Sequence, residues 1–313
     1  MKYTNKYLPP VFGDAIARAL TNDPYDPGDS FITTTTLVGP PLIRLLRREH
    51  ADELTEDVQD SIWSLTGQAI HKILERSEDE DSLVEERLFA PFVGRGGEPR
   101  VVSGQIDYYS KDHEGNHVLA DWKFTSVWSF ILEKGPDGNG GLKPEWEAQA
   151  NVNAELLRRS GFQVDTLAIV AILKDWSRTK ARTEAGYPPT PIIVVPVPMW
   201  SSEDTTSYIS KRLVEHEDVD ASYQQGEVVE LCSREERWSR PTVYRVKKKG
   251  TARAVRGGVK NTPEDAYEMA QRLSASGMGL HEVEVTTGLD VRCADYCPVR
   301  LFCKHGKKVA SNA

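Results

Sequence analysis

The sequence predicts a mixed α/β core in which helices cover a central sheet, followed by a smaller C-terminal module. Two observations predict the core. A long run of helical periodicity precedes three strand-like runs, and a second helical run then precedes two more. A third observation, a group of cysteines beyond a basic stretch, sets the C-terminal module apart.

Residues 1–52 read as a lead-in, its first thirty residues rich in Pro, Gly and Asp. Residues 53–75 predict a helix, because Leu54, Val58, Ile62, Leu65, Ala69 and Ile73 recur at spacings of three and four. LVEERLFAPFV (83–93), VVSGQIDYYS (101–110) and HVLADWKFT (117–125) read as strands, with HEGN (113–116) as the hairpin turn between the last two. Residues 127–143 end in PDGNGGLK and read as a flexible loop. Pro144 then opens a helix at the position where a missing N–H costs nothing, and Gly161 stops it. TLAIVAIL (166–173) and IIVVPVP (192–198) are two further strands, and 203–217 and 263–276 read as helices. The composition shifts near 225–230, which divides a core at 53–228 from a module at 229–313.

Composition narrows the function classes. The longest apolar runs, such as LAIVAIL, are too short to span a bilayer, and MKYTNKYLPPVFG lacks the apolar centre of a signal peptide. A cytoplasmic protein with no membrane partner is the expectation. The net charge of −8 means that any nucleic-acid role needs a local basic surface. Residues 240–260, RPTVYRVKKKGTARAVRGGVK, carry eight Lys or Arg and no acid. They read either as a solvated hairpin with Lys-protected edges or as a phosphate-contacting arm presenting Arg245, Lys247, Lys248, Lys249 and Arg253.

The chemistry concentrates in GQIDYYSKDHEGNHVLADWKFTS (104–126). Asp121 and Lys123 are two apart on a strand and share a face, and Asp107 sits on the neighbouring strand. Carboxylates converging from adjacent strands repel unless a cation lies between them, and such oxygen ligands suit Mg²⁺ or Mn²⁺. A lysine beside the cation can orient water or neutralise a phosphate. A bare DxK is common, so the weight rests on GxxD and DWK occurring together on two neighbouring strands.

This composite resembles the PD-(D/E)XK nuclease superfamily in its RecB-like exonuclease branch, over roughly residues 60–175. Three further stretches carry the resemblance. TGQAIHKILE supplies Gly67 and His71 in a Gly-x-x-x-His setting before the strands. WEAQANVNAEL supplies Gln149, with Asn153 where the branch has Tyr. An acid on the first core strand is supplied by Glu85 or Glu86, of which Glu86 is favoured. The resemblance implies a restriction-endonuclease-like core and a metal-dependent DNA exonuclease acting on single strands or DNA ends. It implies that His71, Asp107, Asp121 and the Trp122 carbonyl bind Mg²⁺ or Mn²⁺. Lys123 would position the attacking water, Gln149 the strand, and Glu86 would support the site or a second metal. No GxxxxGK[ST] occurs, so unwinding implies a helicase or recombination protein as partner, in phage recombination, DNA processing or CRISPR adaptation. The rival reading is a non-catalytic DNA-binding subunit of the same fold.

Cys293, Cys297 and Cys303 lie in CADYCPVRLFC, and Cys232 is remote from them. The spacing resembles the C-terminal cluster of iron–sulfur RecB-like nucleases, including the AddB subunit and the CRISPR-associated RecB-like exonucleases. The resemblance implies a [4Fe–4S] cluster on the four thiolates, which would staple the module and hold the basic hairpin 242–256 beside the cleft. This chain departs from those relatives in one respect: its remote cysteine follows the nuclease motifs instead of preceding them. A tetrahedral zinc site stabilising an interaction module, or unligated thiols, are the alternatives.

Overall fold

The computed structural model describes residues 2–132, 141–227, 229 and 232–310. The chain divides into two compact units, Met1–Val229 and Glu230–Ala313.

The first unit begins with β1 (Lys2–Thr4), α1 (Pro10–Thr21), β2 (Ile32–Thr33), α2 (Thr34–Val38), α3 (Pro41–Glu49), β3 (Thr55–Asp57) and α4 (Ile62–Leu74). It continues with β4 (Leu83–Val93), β5 (Pro99–Lys111), β6 (His117–Thr125), α5 (Val127–Leu132) and α6 (Pro144–Arg159). It ends with β7 (Thr166–Leu173), α7 (Arg178–Thr183), β8 (Ile192–Val197) and α8 (Ser202–Gln224). Three expectations need correction. The lead-in is built rather than extended: in α3, Pro40 and Pro41 start a helix whose Leu42, Ile43, Leu45 and Leu46 are buried. The helix predicted over 53–75 begins only at Ile62, because Thr55–Asp57 instead pairs in parallel with Lys2–Thr4. The loop predicted at 127–143 starts with a helical turn, α5; residues 133–140 of it lie outside the described residues.

A mixed six-stranded sheet organises this unit. Antiparallel β4 covers one edge of β5 from Pro99 to Tyr109. The other edge of β5 is shared by two strands. Parallel β2 pairs with Val102 and Ser103, and antiparallel β6 pairs only with Tyr108–Lys111. Residues 104–107 therefore face a fork between β2 and β6. Beyond β6 follow parallel β7 and antiparallel β8. The hairpin at HEGN forms as expected, with Asp112 accepting from the amides of Glu114 and Asn116 and Gly115 at φ 87°.

Helix α6 lies on one face of the sheet. Glu145 and Glu147 in its first turn and Arg158 and Arg159 in its last suit the helix dipole. One side of it packs Ala150, Ala154 and Leu157 against Ile106, Leu119, Leu167, Ile169 and Val197. Its other side packs Val152 and Leu156 with Ile209 and Leu213 of α8. Helix α6 is thus buried on nearly all sides, whereas α4 has no buried residue.

The second unit holds β9 (Ser239–Arg240), β10 (Val243–Lys248), β11 (Ala254–Lys260), α9 (Pro263–Ala275), β12 (His281–Thr286), β13 (Leu289–Asp290) and α10 (Lys304–Ala310). The basic stretch is more than a hairpin. β10 is the central strand between β11 and β12, and Val246 packs beneath it on Ala266 and Ala270 of α9. No helix among the described residues is long and apolar enough to cross a membrane.

Candidate metal centre and active site

Six polar side chains meet at this fork, where β6 parts from β5. Pairing between these strands stops at Tyr108 and Ala120, so the backbone beyond needs other partners. The Trp122 amide donates to Asp107 Oδ2 at 2.9 Å, and Asn153 Nδ2 of α6 donates to the Gln105 carbonyl at 3.3 Å. Side chains thus replace ladder hydrogen bonds where the strands separate. The carbonyl of a strand residue points to the same edge as its N–H, so the Trp122 carbonyl also faces the fork. Gly104 is required here by the helix: a Cβ would lie 2.3 Å from Asn153 Oδ1 and 2.6 Å from Leu156 Cδ1.

His71, on α4, places Nδ1 2.8 Å from Glu85 Oε1 and 3.9 Å from Asp107 Oδ1. One ligand atom from each of His71, Glu85 and Asp107 lies within 4.8 Å of the others. Glu85 also accepts from Gln105 Nε2 at 2.6 Å, and Gln105 accepts from Arg87 at 2.9 Å. Lys123 Nζ is 2.6 Å from Asp121 Oδ2 and donates to Gln149 Oε1 at 3.0 Å. His71, Glu85, Arg87, Gln105, Asp107, Lys123 and Gln149 line a cleft of about 660 Å³ with Gly67, Trp122 and Asn153.

The electrostatics are those of crowded acids. Burial, then the Asp121 carboxylate, pushes Asp107 up to about 7, against the opposing pull of Lys123, His71 and the Trp122 amide. The hydrogen bond to Glu85 raises His71 despite its burial. Asp121 is buried, and its Oδ2 makes an ion pair with Lys123 but no hydrogen bond. A hard cation bound by oxygen and imidazole donors would relieve this repulsion, so the donor set fits Mg²⁺ or Mn²⁺.

Of the expected site, His71, Asp107, Asp121, Trp122, Lys123 and Gln149 converge. Asp121 faces Lys123 and stands outside the close His71–Glu85–Asp107 group. The preference for Glu86 is corrected: Glu86 is exposed and does not line the cleft, and Glu85 does. In the β4–β5 ladder Glu85 falls between the Val84–Tyr108 and Glu86–Ile106 pairs, with φ at 54°. That conformation is uncommon for a residue with a Cβ. A partial sequence signal existed: Val84, Leu88, Ala90 and Phe92 make one parity of the strand the more apolar, which sets 85 and 87 on the other. Asn153, standing where the branch has Tyr, is 2 % exposed and holds the fork through the Gln105 carbonyl.

In the second unit the Cys232 thiol lies close enough to the other three to feel their charges. Cys293 sits in a π-turn over Arg292–Tyr296, Cys297 just after it, and Cys303 immediately before α10. Burial first, then Glu236 and the three other cysteines push Cys232 up to about 12. Burial, then Cys297, pushes Cys293 up to about 11. His305 is held by Asp290, with Nε2 2.5 Å from Oδ2. In the basic sheet, Lys247 lies 3.5 Å from Glu282 and 3.6 Å from Glu284, so β12 neutralises part of that charge. Arg245, Lys248, Lys249 and Arg253 remain exposed.

The sequence matches no family profile and no curated protein. Among solved structures, the crystal structure of SSO0001 aligns over 64 % of this chain and 82 % of its own, at 12 % identity and a TM-score of 0.41. Likeness at that level carries no argument about function.

Proposed function

We propose that the first unit is a metal-dependent nuclease of the PD-(D/E)XK type, with a restriction-endonuclease-like core, hydrolysing phosphodiester bonds in DNA. The observation that carries this reading is the convergence at one fork of Asp107, Asp121, Lys123 and Gln149 with His71 and Glu85. His71, Glu85 and Asp107, with Asp121 and the Trp122 carbonyl at hand, would hold Mg²⁺ or Mn²⁺. Such an ion supplies Lewis-acid stabilisation of the phosphate and a more acidic water. Lys123 carries positive charge into the cleft between Asp121 and Gln149, where it can orient a water or meet a phosphate oxygen. Gln149 fixes the ammonium by its hydrogen bond, and Asp107 keeps β5 and β6 in register through Trp122. The cysteines support a second proposal, a [4Fe–4S] cluster on Cys232, Cys293, Cys297 and Cys303.

The test is incubation of the purified protein with end-labelled single- and double-stranded DNA in Mg²⁺, Mn²⁺ or EDTA, with Asp121→Ala alongside. Metal-dependent cleavage lost in Asp121→Ala is expected. Binding without cleavage in either metal would leave a non-catalytic DNA-binding protein.

A further inference from the structure

Two large aromatic side chains stand in solvent at the cleft, and nothing in the proposed hydrolysis uses them. Tyr25 is 56 % exposed and Trp63 is 55 % exposed, yet both line the same cleft as His71, Glu85 and Asp107. Each is stacked by a cation. Arg87 lies 4.9 Å from the Tyr25 ring centre, and Lys174 Nζ lies 3.9 Å from that of Trp63. Phe124 flanks Trp63 with ring centres 6.4 Å apart. Arg87 comes from β4 and Lys174 follows β7, so the two aromatic–cation pairs lie on opposite sides of the fork.

Neither cation is neutralised. Arg87 donates to Gln105 Oε1 and Ser103 Oγ, both uncharged, and no carboxylate pairs with Lys174 among the described residues. Trp63, Gly67 and His71 follow one another at i, i+4 and i+8 along α4 and so form one stripe. Gly67 within that stripe packs against nothing: a Cβ there would meet no atom within 4 Å. A glycine inside a helix is unfavourable, and here no neighbouring element requires it. The space it leaves is cleft space.

Exposed rings alternating with uncompensated cations suit a polyanion whose bases are free to stack. A duplex keeps its base faces covered and offers these rings nothing. We propose that the cleft takes single-stranded nucleic acid, with one base stacked on Tyr25 and another on Trp63. The phosphates between them pass over Gly67 to the His71–Glu85–Asp107 group, and Arg87 and Lys174 neutralise the flanking phosphates. This deepens the nuclease reading by naming Tyr25 and Trp63 as the side chains that hold the bases of a single strand, and it rests on that reading only for what happens at the fork.

Binding in EDTA separates the two. Fluorescence anisotropy with a labelled oligothymidylate and a blunt duplex, at one fixed salt concentration, measures recognition without hydrolysis. The wild type is expected to prefer the oligonucleotide. Trp63→Ala should weaken oligonucleotide binding about ten-fold or more, Trp63→Phe should recover most of that loss, and duplex binding should change less than about two-fold. Because Trp63 is exposed, all three proteins should melt alike, which a thermal scan checks. The proposal is overturned if Trp63→Ala binds the oligonucleotide as tightly as wild type, if Phe restores nothing, or if the wild type binds the duplex better or neither. Retained Trp63-dependent binding with no cleavage in any metal would remove hydrolysis and leave the single-strand track standing.

Discussion

Two glycines in the first unit should respond to the same substitution with opposite signs. At Gly104 an added methyl would lie 2.3 Å from Asn153 Oδ1, 2.6 Å from Leu156 Cδ1 and 2.7 Å from Thr34 Oγ1. All three neighbours are buried, at 2 %, 0 % and 2 % exposure, so none can swing into solvent. Overpacking of this kind costs about 1–3 kcal/mol. At roughly 2–4 °C per kcal/mol for a domain of this size, Gly104→Ala should melt about 2–12 °C lower. The strain also falls on α6, which carries Gln149 and its 3.0 Å hydrogen bond from Lys123, so any nuclease activity should drop as well. At Gly67, in the interior of α4, the same methyl meets nothing. Replacing a helical glycine by alanine there gains roughly 1 kcal/mol, which raises the melting temperature by about 2–4 °C. Gly67→Ala should nevertheless weaken oligonucleotide binding, because it narrows the space beside His71. Calorimetric scans of both variants against wild type provide the comparison. A neutral Gly104→Ala, or a destabilised Gly67→Ala, would show that the packing around the fork has been misjudged.

Three further outcomes are expected. Glu85→Gln should impair metal binding measured by calorimetry and any cleavage, whereas Glu86→Gln should leave both near wild type, because Glu86 is exposed and outside the cleft. Serine at any one of Cys232, Cys293, Cys297 or Cys303 should remove bound iron and the absorbance of a cluster alike; unchanged iron content in Cys232→Ser would exclude it as a ligand. His216 is fully buried and donates Nε2–H to the Leu37 carbonyl, and burial lowers its pKa from 6.5 to about 4. The unfolded chain takes up a proton between those values and the folded chain does not. Its contribution to stability is therefore complete above about pH 6.5 and is lost as pH falls to about 4, by roughly 3 kcal/mol. Urea unfolding at pH 5 and 7.5 should show about 2 kcal/mol of that loss in wild type and not in His216→Gln.

The central strands and α6 were legible because their signals are local. Alternation in 83–93, 101–110 and 117–125 matches β4, β5 and β6 closely, and Pro144 marks the first residue of α6. What escaped depends on partners distant in sequence. Thr55–Asp57 became a strand only because Lys2–Thr4 pairs with it, which cut nine residues from the expected helix. Lys247 looked free in a run of bases, but β12 brings Glu282 and Glu284 alongside from some 35 residues away. Glu85 and Glu86 could be separated only by asking which parity of β4 is apolar, and the left-handed backbone at Glu85 has no signature in the sequence.

The fork also decides which variants test chemistry cleanly. Asp107 does two things at once: it stands with His71 and Glu85, and its Oδ2 accepts the Trp122 N–H where the β5–β6 ladder has ended. Asp107→Ala removes both, leaving a buried amide without a partner at a cost of about 1–3 kcal/mol. Loss of activity in that variant would therefore mix folding with catalysis. Asp107→Asn keeps an acceptor for Trp122 and removes only the charge. It should also remove an instability of the metal-free protein. Burial and Asp121 raise Asp107 from 3.8 to about 7, so the unfolded chain gives up its proton first. Without divalent ions the wild type should then lose stability as pH rises from about 4 to about 7, and Asp107→Asn should not show that component. Adding Mg²⁺ or Mn²⁺ at pH 8 should stabilise the wild type markedly and Asp107→Asn far less. If both proteins respond to the metal equally, Asp107 is no ligand, and its role in the fork is the structural one alone.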